Sequence, residues 1–381
     1  MSTGEITYQV LISGQPDNDL TSTLIEARVS ESIDGMSAFD VRFAIDLTDT
    51  SYELVDDPRL SPGQGTLLTL LVFIDGDPQV LVHGPITDRQ LDLRQGGPGS
   101  ALQVSGYDRR IEMDRNWFNF NVFVGSSETI AQGILSSYFS NVSITVEGEK
   151  YSPDATDGFG LVQTVSDLRM VEQIARAANG KFWIDWTFNG GSVQETAHVE
   201  SVPPLNNGLN PSSVLSALSS LLPIPQPPAL KMNAGNGLDT ILSMRISRPT
   251  EIPNQGSGDR VNISDGSIQS TFVGAPTQPP LGAAPPSPGP LMATIVTAGS
   301  IDYLQPRLSS ALNDASFSTR LSCETTAHAL AALLRPRQLV NVSGTGTSED
   351  GQYLVWAVNH SFDPADHRMT LTLARNAVKS S

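Results

Sequence analysis

A chain of 381 residues can hold two or three domains with real cores, and its 40 acidic against 23 basic residues leave a net charge of −17. Such a surface repels nucleic acid and anionic membrane. The single cysteine, Cys323, excludes a disulfide framework and a cysteine-built zinc site, and it suits folding in a reducing compartment.

Only 17% of residues are charged, below the usual share of about a quarter, which fits a surface partly hidden in an assembly. The opening MSTGEITYQV has no basic segment followed by an apolar stretch, so no secretory signal is expected. No apolar run reaches the ~18 residues that a membrane-spanning helix needs. The protein is therefore expected to be soluble and assembled in the cytoplasm.

Residues 5–12 and 39–47 are predicted strands, the second placing Phe39, Val41, Phe43 and Ile45 on one face. Asp75-Gly76 marks a hairpin between two apolar runs, and ALQVSGYDRR follows as a further strand. Residues 1–111 thus read as an antiparallel, barrel-like β domain. In SSETIAQGILSSYF, Ser126 or Ser127 can cap a helix whose apolar stripe is Ile130, Ile134, Leu135 and Tyr138. In SDLRMVEQIARAANGKFWIDW, Ser166 caps a second helix with Leu168, Val171, Ala175 and Ala178 on one face. Asn179-Gly180 ends that helix, and KFWIDW begins a strand. A small α/β domain over 112–200 is the economical reading.

Residues 201–235 are rich in Pro and small polar side chains and read as a linker or insertion, with SSVLSALSSLL as a short helix inside it. A second Pro-rich tract spans 274–290. Between them LDTILSMRISRP and SIQSTFVG are predicted strands. CETTAHALAALL, 323–334, is predicted to be a helix stopping before Pro336. The chain closes with QLVNVSG, GQYLVWAVNHSF and HRMTLTLARN as strands, Asp363-Pro364-Ala365-Asp366 supplying the last turn. Residues 236–381 then form a second barrel-like β domain. Pro336-Arg337-Gln338 repeats Pro62-Gly63-Gln64 at 274 residues, and both are followed by a strand, turn, strand and a strand ending in Arg. Duplication and chance likeness of two β domains are both open on the sequence alone. The fold class is α+β, mainly β.

No catalytic, cofactor-binding or metal site is assigned. His360, Asp363, Asp366 and His367 lie close together, but their spacing matches no metal motif and a polar hairpin turn is the plainer reading. Asp75-Gly76-Asp77 lacks the other ligands of a calcium loop. The Gly-rich stretches 256–260 and 342–348 lack a phosphate-binding pattern, and no G-x-S-x-G or H-E-x-x-H occurs. Cys323 and His328, both on the predicted last helix, point roughly 140° apart, poor geometry for a nucleophile and base. Trp117, Trp183, Trp186 and Trp356 could anchor a sugar or a partner, although core and interface packing is the usual fate of Trp.

The order of VLVHGPITDRQLDL, LQVSGYDRRIEMDR, SETIAQGILSSYF, SDLRMVEQIARAANGKFWID and the closing hairpin resembles the baseplate hub proteins of contractile phage tails and related injection systems. That group includes the phage late control protein D family and the N-terminal part of VgrG spike proteins. The resemblance covers about two-thirds of the chain and omits the Pro-rich insertions. Where the family's Ser-Asp-Leu-x-Phe-Leu-x-x-Leu-Ala pattern has Phe, Leu and Leu, this chain has Met170, Val171 and Ile174, a fit that is apolar but not literal. The resemblance implies a non-enzymatic homotrimer in which each subunit gives two tube-like barrels, a pseudo-sixfold ring between a hexameric tube and a trimeric spike. VgrG proteins continue into a further barrel and a β-helical spike that this sequence lacks, so a separate spike protein is the implied partner, with other baseplate proteins, in a phage tail or an extracellular injection particle. A cell-wall hydrolase using an acidic pair, and a carbohydrate-binding β protein, are the alternatives.

Overall fold

The computed structural model of the protein describes residues 5–45, 54–95, 99–117, 121–146, 150–151, 160–202, 228–235, 239–249, 251–261, 265–282, 285, 291–296, 301–346, 349–363 and 366–377. The helix expected in SSVLSALSSLL lies outside them.

Alternating apolar residues build one large sheet of 13 strands. Its main strands in chain order are β1 (Ile6–Ile12), β2 (Leu24–Ser32), β3 (Ala38–Ala44), β4 (Leu67–Ile74), β5 (Asp77–Asp92) and β6 (Ala101–Tyr107) in the first half. The second half contributes β7 (Ala229–Lys231), β8 (Ile241–Ser247), β9 (Thr319–Thr326), β10 (Leu339–Ser343), β11 (Gly351–Phe362) and β12 (His367–Arg375). The two halves repeat one another. The first has the spatial order β4-β5-β6-β3-β2 and the second β10-β11-β12-β9-β8, every neighbouring pair antiparallel.

Two of the irregularities repeat too, while a third, at Leu81 in the β4–β5 ladder, has no counterpart in β10–β11. One extra residue interrupts the β5–β6 ladder at Thr87 and the β11–β12 ladder at Trp356. Another interrupts β2–β3 at Ile25 and β8–β9 at Leu242. Leu67 pairs with Pro85 and Leu339 with Leu354, so β4 and β10 correspond at an offset of 272 (339 less 67), two residues from the Pro-based repeat. The outer strands differ: β1 runs antiparallel to β4, while β7 runs parallel to β10. No ladder closes either half into a barrel among the described residues.

Asp75 and Gly76 take φ values of 51° and 89°, the two-residue turn expected between β4 and β5. Phe39, Val41, Phe43, Met369, Leu371 and Leu373 are buried as their alternation predicts, in one core cluster shared by both halves. A second cluster lies between helices Ser127–Leu135 and Asp167–Ala177 and the strands Lys181–Asn189 and Ser192–Glu200. Ser126 and Ser166 are the caps, each accepting from the backbone N–H three residues on.

One expectation needs correction, and one helix is found that was not expected. Residues 323–326 belong to strand β9, and the only helix there is Ala327–Leu330. Thr319, Leu321, Cys323 and Thr325 alternate inward, and that period-two burial overrides the helix propensity of the Ala-Leu run that follows. Conversely, Ile301–Ser316 is a helix despite Pro306 near its start, because Leu304, Leu308 and Leu312 bury one face on the strand Gln255–Val261. The second Pro-rich tract is a loop where described, but 277–281 is pinned down: Asn313 Oδ1 accepts from Thr277 N and Gln278 N, and Asn376 Oδ1 from Leu281 N.

Candidate functional site: the seam between the halves

The halves are joined by a ladder. Residues 27–32 of β2 pair antiparallel with 357–362 of β11, so the large sheet runs from one half into the other. Arg335 spans the joint from the second half. It donates to the Glu31 carboxylate and to the carbonyls of Val80 and Leu81 in the first. Burial nevertheless pushes the Glu31 carboxyl above its ordinary value, more than its arginine neighbours pull it down. Across the core side of the seam, the Tyr8 ring stacks on Phe362 at 4.0 Å, beside His367.

The α/β unit is keyed into the seam. Asp108 is fully buried and accepts from Ser37 N at 2.6 Å and from Arg110 Nη2 at 2.7 Å. Arg110 also donates to the carbonyls of Phe182 and Gly35, while Arg109 donates to Glu195 Oε2 at 2.7 Å. From the second half Arg337 donates to Asp185 Oδ1 at 2.8 Å and lies over the Trp183 ring, which stacks on His198. Lys181 Nζ reaches Asp34 and Asp314, and Trp356 Nε1 donates to Asp34 Oδ2 at 2.9 Å. Of these residues the sequence draws attention to Asp108 to Arg110, without giving them a role, and to Trp183 and Trp356, whose packing in this joint is the usual fate of Trp. Arg337 figures only in the Pro336-Arg337-Gln338 repeat and Arg335 not at all, since their partners are distant in sequence.

A cleft of about 520 Å³ opens beside the seam, lined by Glu31, Gln79, Arg110, Trp183, Asp185 and Arg337 among others. Its arginines already face carboxylates, so what it offers is matched charge in a joint.

The residues weighed for chemistry fall elsewhere or apart. His360 and His367 come together, Nδ1 to Nε2 at 3.1 Å, wholly inside the core. Asp363 and Asp366 are spent on the turn and on Arg368. Among the described residues no group of three or more His, Cys, Asp and Glu is placed to hold a metal ion. Cys323 sits in β9 rather than on a helix with His328, and burial pushes its thiol up to about 12. Residues 256–260 lie in a strand. Gly344 and Gly346 turn with positive φ, and 347–348 lie outside the described residues. Trp183 is buried, Trp186 and Trp356 are half-buried, and Trp117 is 65% exposed.

Burial makes the seam sensitive to acid. It pulls His83 and His367 down to about 4 and His360 well below its ordinary value. A base with a depressed folded-state pKa contributes its full stability above the unfolded value near 6.5 and loses it as pH falls toward 4. The loss at pH 5 is on the order of 2 kcal/mol for each of His83 and His367. Glu31 and Glu195, whose carboxyls are raised, act in the opposite sense. Urea unfolding at pH 7 and pH 5 should therefore show a lower midpoint at pH 5, with a smaller drop in His367→Gln. Equal drops in the two proteins would contradict this assignment.

No family model matches the sequence, and no curated protein does. Among solved structures, the tail protein from Neisseria meningitidis MC58 is 15% identical, covers 97% of this chain and 96% of its own, and gives a TM-score of 0.63. The 43 kDa tail protein of prophage MuSo2 from Shewanella oneidensis is 12% identical over 98% of this chain and 99% of that one, at 0.64. The Escherichia coli c3393 protein, described as a type VI secretion component similar to phage T4 tail proteins gp27 and gp5, is 11% identical over 98% and 77%, at 0.53. At these identities the likeness is one of fold, which this chain shares with these tail and secretion-system proteins.

Proposed function

We propose that this protein is a structural, non-enzymatic component of a contractile tail or injection machine. Three copies form a ring that joins a hexameric inner tube to a separate trimeric spike and surrounds part of the channel. The observation that carries this reading is the repetition of the five-strand unit, with the same spatial order and the same two ladder interruptions, in both halves of one chain. Three chains with two such units each present six near-equivalent units. That number matches a sixfold tube on one side while the chains keep threefold symmetry on the other. The net charge of −17 per chain would disfavour adhesion of an anionic cargo where it faces the channel. Closure of each unit into a barrel, with the outermost strands and neighbouring subunits completing it, belongs to the same proposal.

Native mass spectrometry of the full chain, alone and mixed with a trimeric spike protein from the same particle, tests the stoichiometry. Three copies per particle are expected. A chain that stays monomeric in both samples would remove the ring.

A further inference from the structure

Two open edges of the large sheet have counterparts already occupied inside the chain. Residues 86–92 of β5 pair with β6 on one side, and no strand pairs with their other side among the described residues. β8 pairs with β9 alone and is the last strand at its end of the sheet. In the repeat, β5 corresponds to β11 and β8 to β2, and β11 and β2 are the strands that make the seam.

The ladder interruptions fix this correspondence residue by residue. Matching Thr87 to Trp356 places 88–93 on 357–362. Matching Ile25 to Leu242 places 27–32 on 244–249. The seam pairs Phe362 with Ala27, Ser361 with Arg28 and His360 with Val29. Carried to the open edges, the same register sets Leu93 opposite Met244, Asp92 opposite Arg245 and Leu91 opposite Ile246.

The side chains suit that arrangement. His360 and Phe362 are 1% and 2% exposed in the occupied seam, whereas their counterparts Leu91 and Leu93 lie 39% and 56% open. Met244 and Ile246 are half-buried apolar residues at the edge of the shared core. Asp92 and Arg245 are exposed and opposite in charge. Apolar and opposite-charge pairs directly across two antiparallel strands are each favourable. Pro249 falls opposite Asp88, where it donates no backbone N–H and the ladder would end.

We infer that a second copy of this chain seats its β8 antiparallel on residues 88–93, the end of β5 and the residue after it, head to tail, in the register Asp92–Arg245. The interface is heterologous, and three repeats of it alternate with three internal seams to close a ring. This rests on the ring reading above and adds the strands and the register.

The test uses the full chain carrying Asp92→Cys with Arg245→Cys, oxidised under native conditions and run on a non-reducing denaturing gel, with sedimentation giving the oligomeric state. The buried thiol of Cys323 is poorly placed to compete. The double variant should yield covalent dimers and trimers, and each single variant only monomers. Arg245→Glu should abolish the oligomer, and adding Asp92→Arg should restore it. An oligomer that cross-links through Gln90→Cys with Arg245→Cys instead would overturn the register and leave the ring intact. An oligomer with no β5–β8 cross-link in either pairing would overturn the joint alone. A chain that remains monomeric throughout, both alone and mixed with the spike protein, would remove both joint and ring.

Discussion

Alanine at Arg110 is expected to lower the free energy of unfolding by about 3–5 kcal/mol, because it strands a buried carboxylate. Asp108 is fully buried, and Arg110, 3% exposed, is its guanidinium partner. The same guanidinium satisfies the carbonyls of Phe182 and Gly35, so its loss also leaves the α/β unit without a principal tie to the first half. Arg169, whose side chain is 55% exposed and reaches Glu172, offers the contrast: alanine there should cost less than about 1 kcal/mol. Urea unfolding of the two variants checks the difference, and equal midpoints would contradict the role given to the buried pair.

A methyl group at Gly84 or Gly106 should cost about 3 kcal/mol or more. β5 leaves its ladder with β4 and enters its ladder with β6 between Pro85 and Ile86, and the backbones cross closely there. A Cβ at Gly84 would overlap the Tyr107 carbonyl oxygen, and one at Gly106 would overlap the Pro85 carbonyl oxygen and the Phe39 ring. Relief would require the backbone to move at the bend that turns the first half back on itself. Gly133 is the control, because a Cβ on this helical glycine meets nothing within 4 Å. Gly133→Ala should stabilise by about 0.5–1 kcal/mol through helix propensity. Thermal unfolding of the three variants would contradict the close-crossing argument if Gly84→Ala and Gly106→Ala melted with the parent protein.

Local signals explain how much of this could be read from the sequence. The alternation of Phe39, Val41 and Phe43, the Asp75-Gly76 turn and the Ser126 and Ser166 caps each depend on a few neighbouring residues, and each appears as expected. The helix Ile301–Ser316 was hidden by Pro306 and by the Pro-rich tract before it, although Leu304, Leu308 and Leu312 keep a helical spacing. Cys323 was misplaced because the alternation that makes β9 a strand runs directly into the Ala-rich helix after it. The seam was out of reach for a different reason. Glu31 and Arg335, or Asp185 and Arg337, meet only after both halves have folded, and nothing near either residue announces its partner. The repeat was visible as an echo of Pro-x-Gln, but its register became plain only from the two matched ladder interruptions.

A reconstruction of the assembled particle by electron cryomicroscopy, computed without imposed symmetry, is the most direct test of a doubled unit standing in for sixfold symmetry. Three chains should surround the channel, with six alike sheet units spaced about 60° apart next to it and threefold features outside them. Six complete chains around the channel, or three chains each presenting one unit to it, would contradict the proposal.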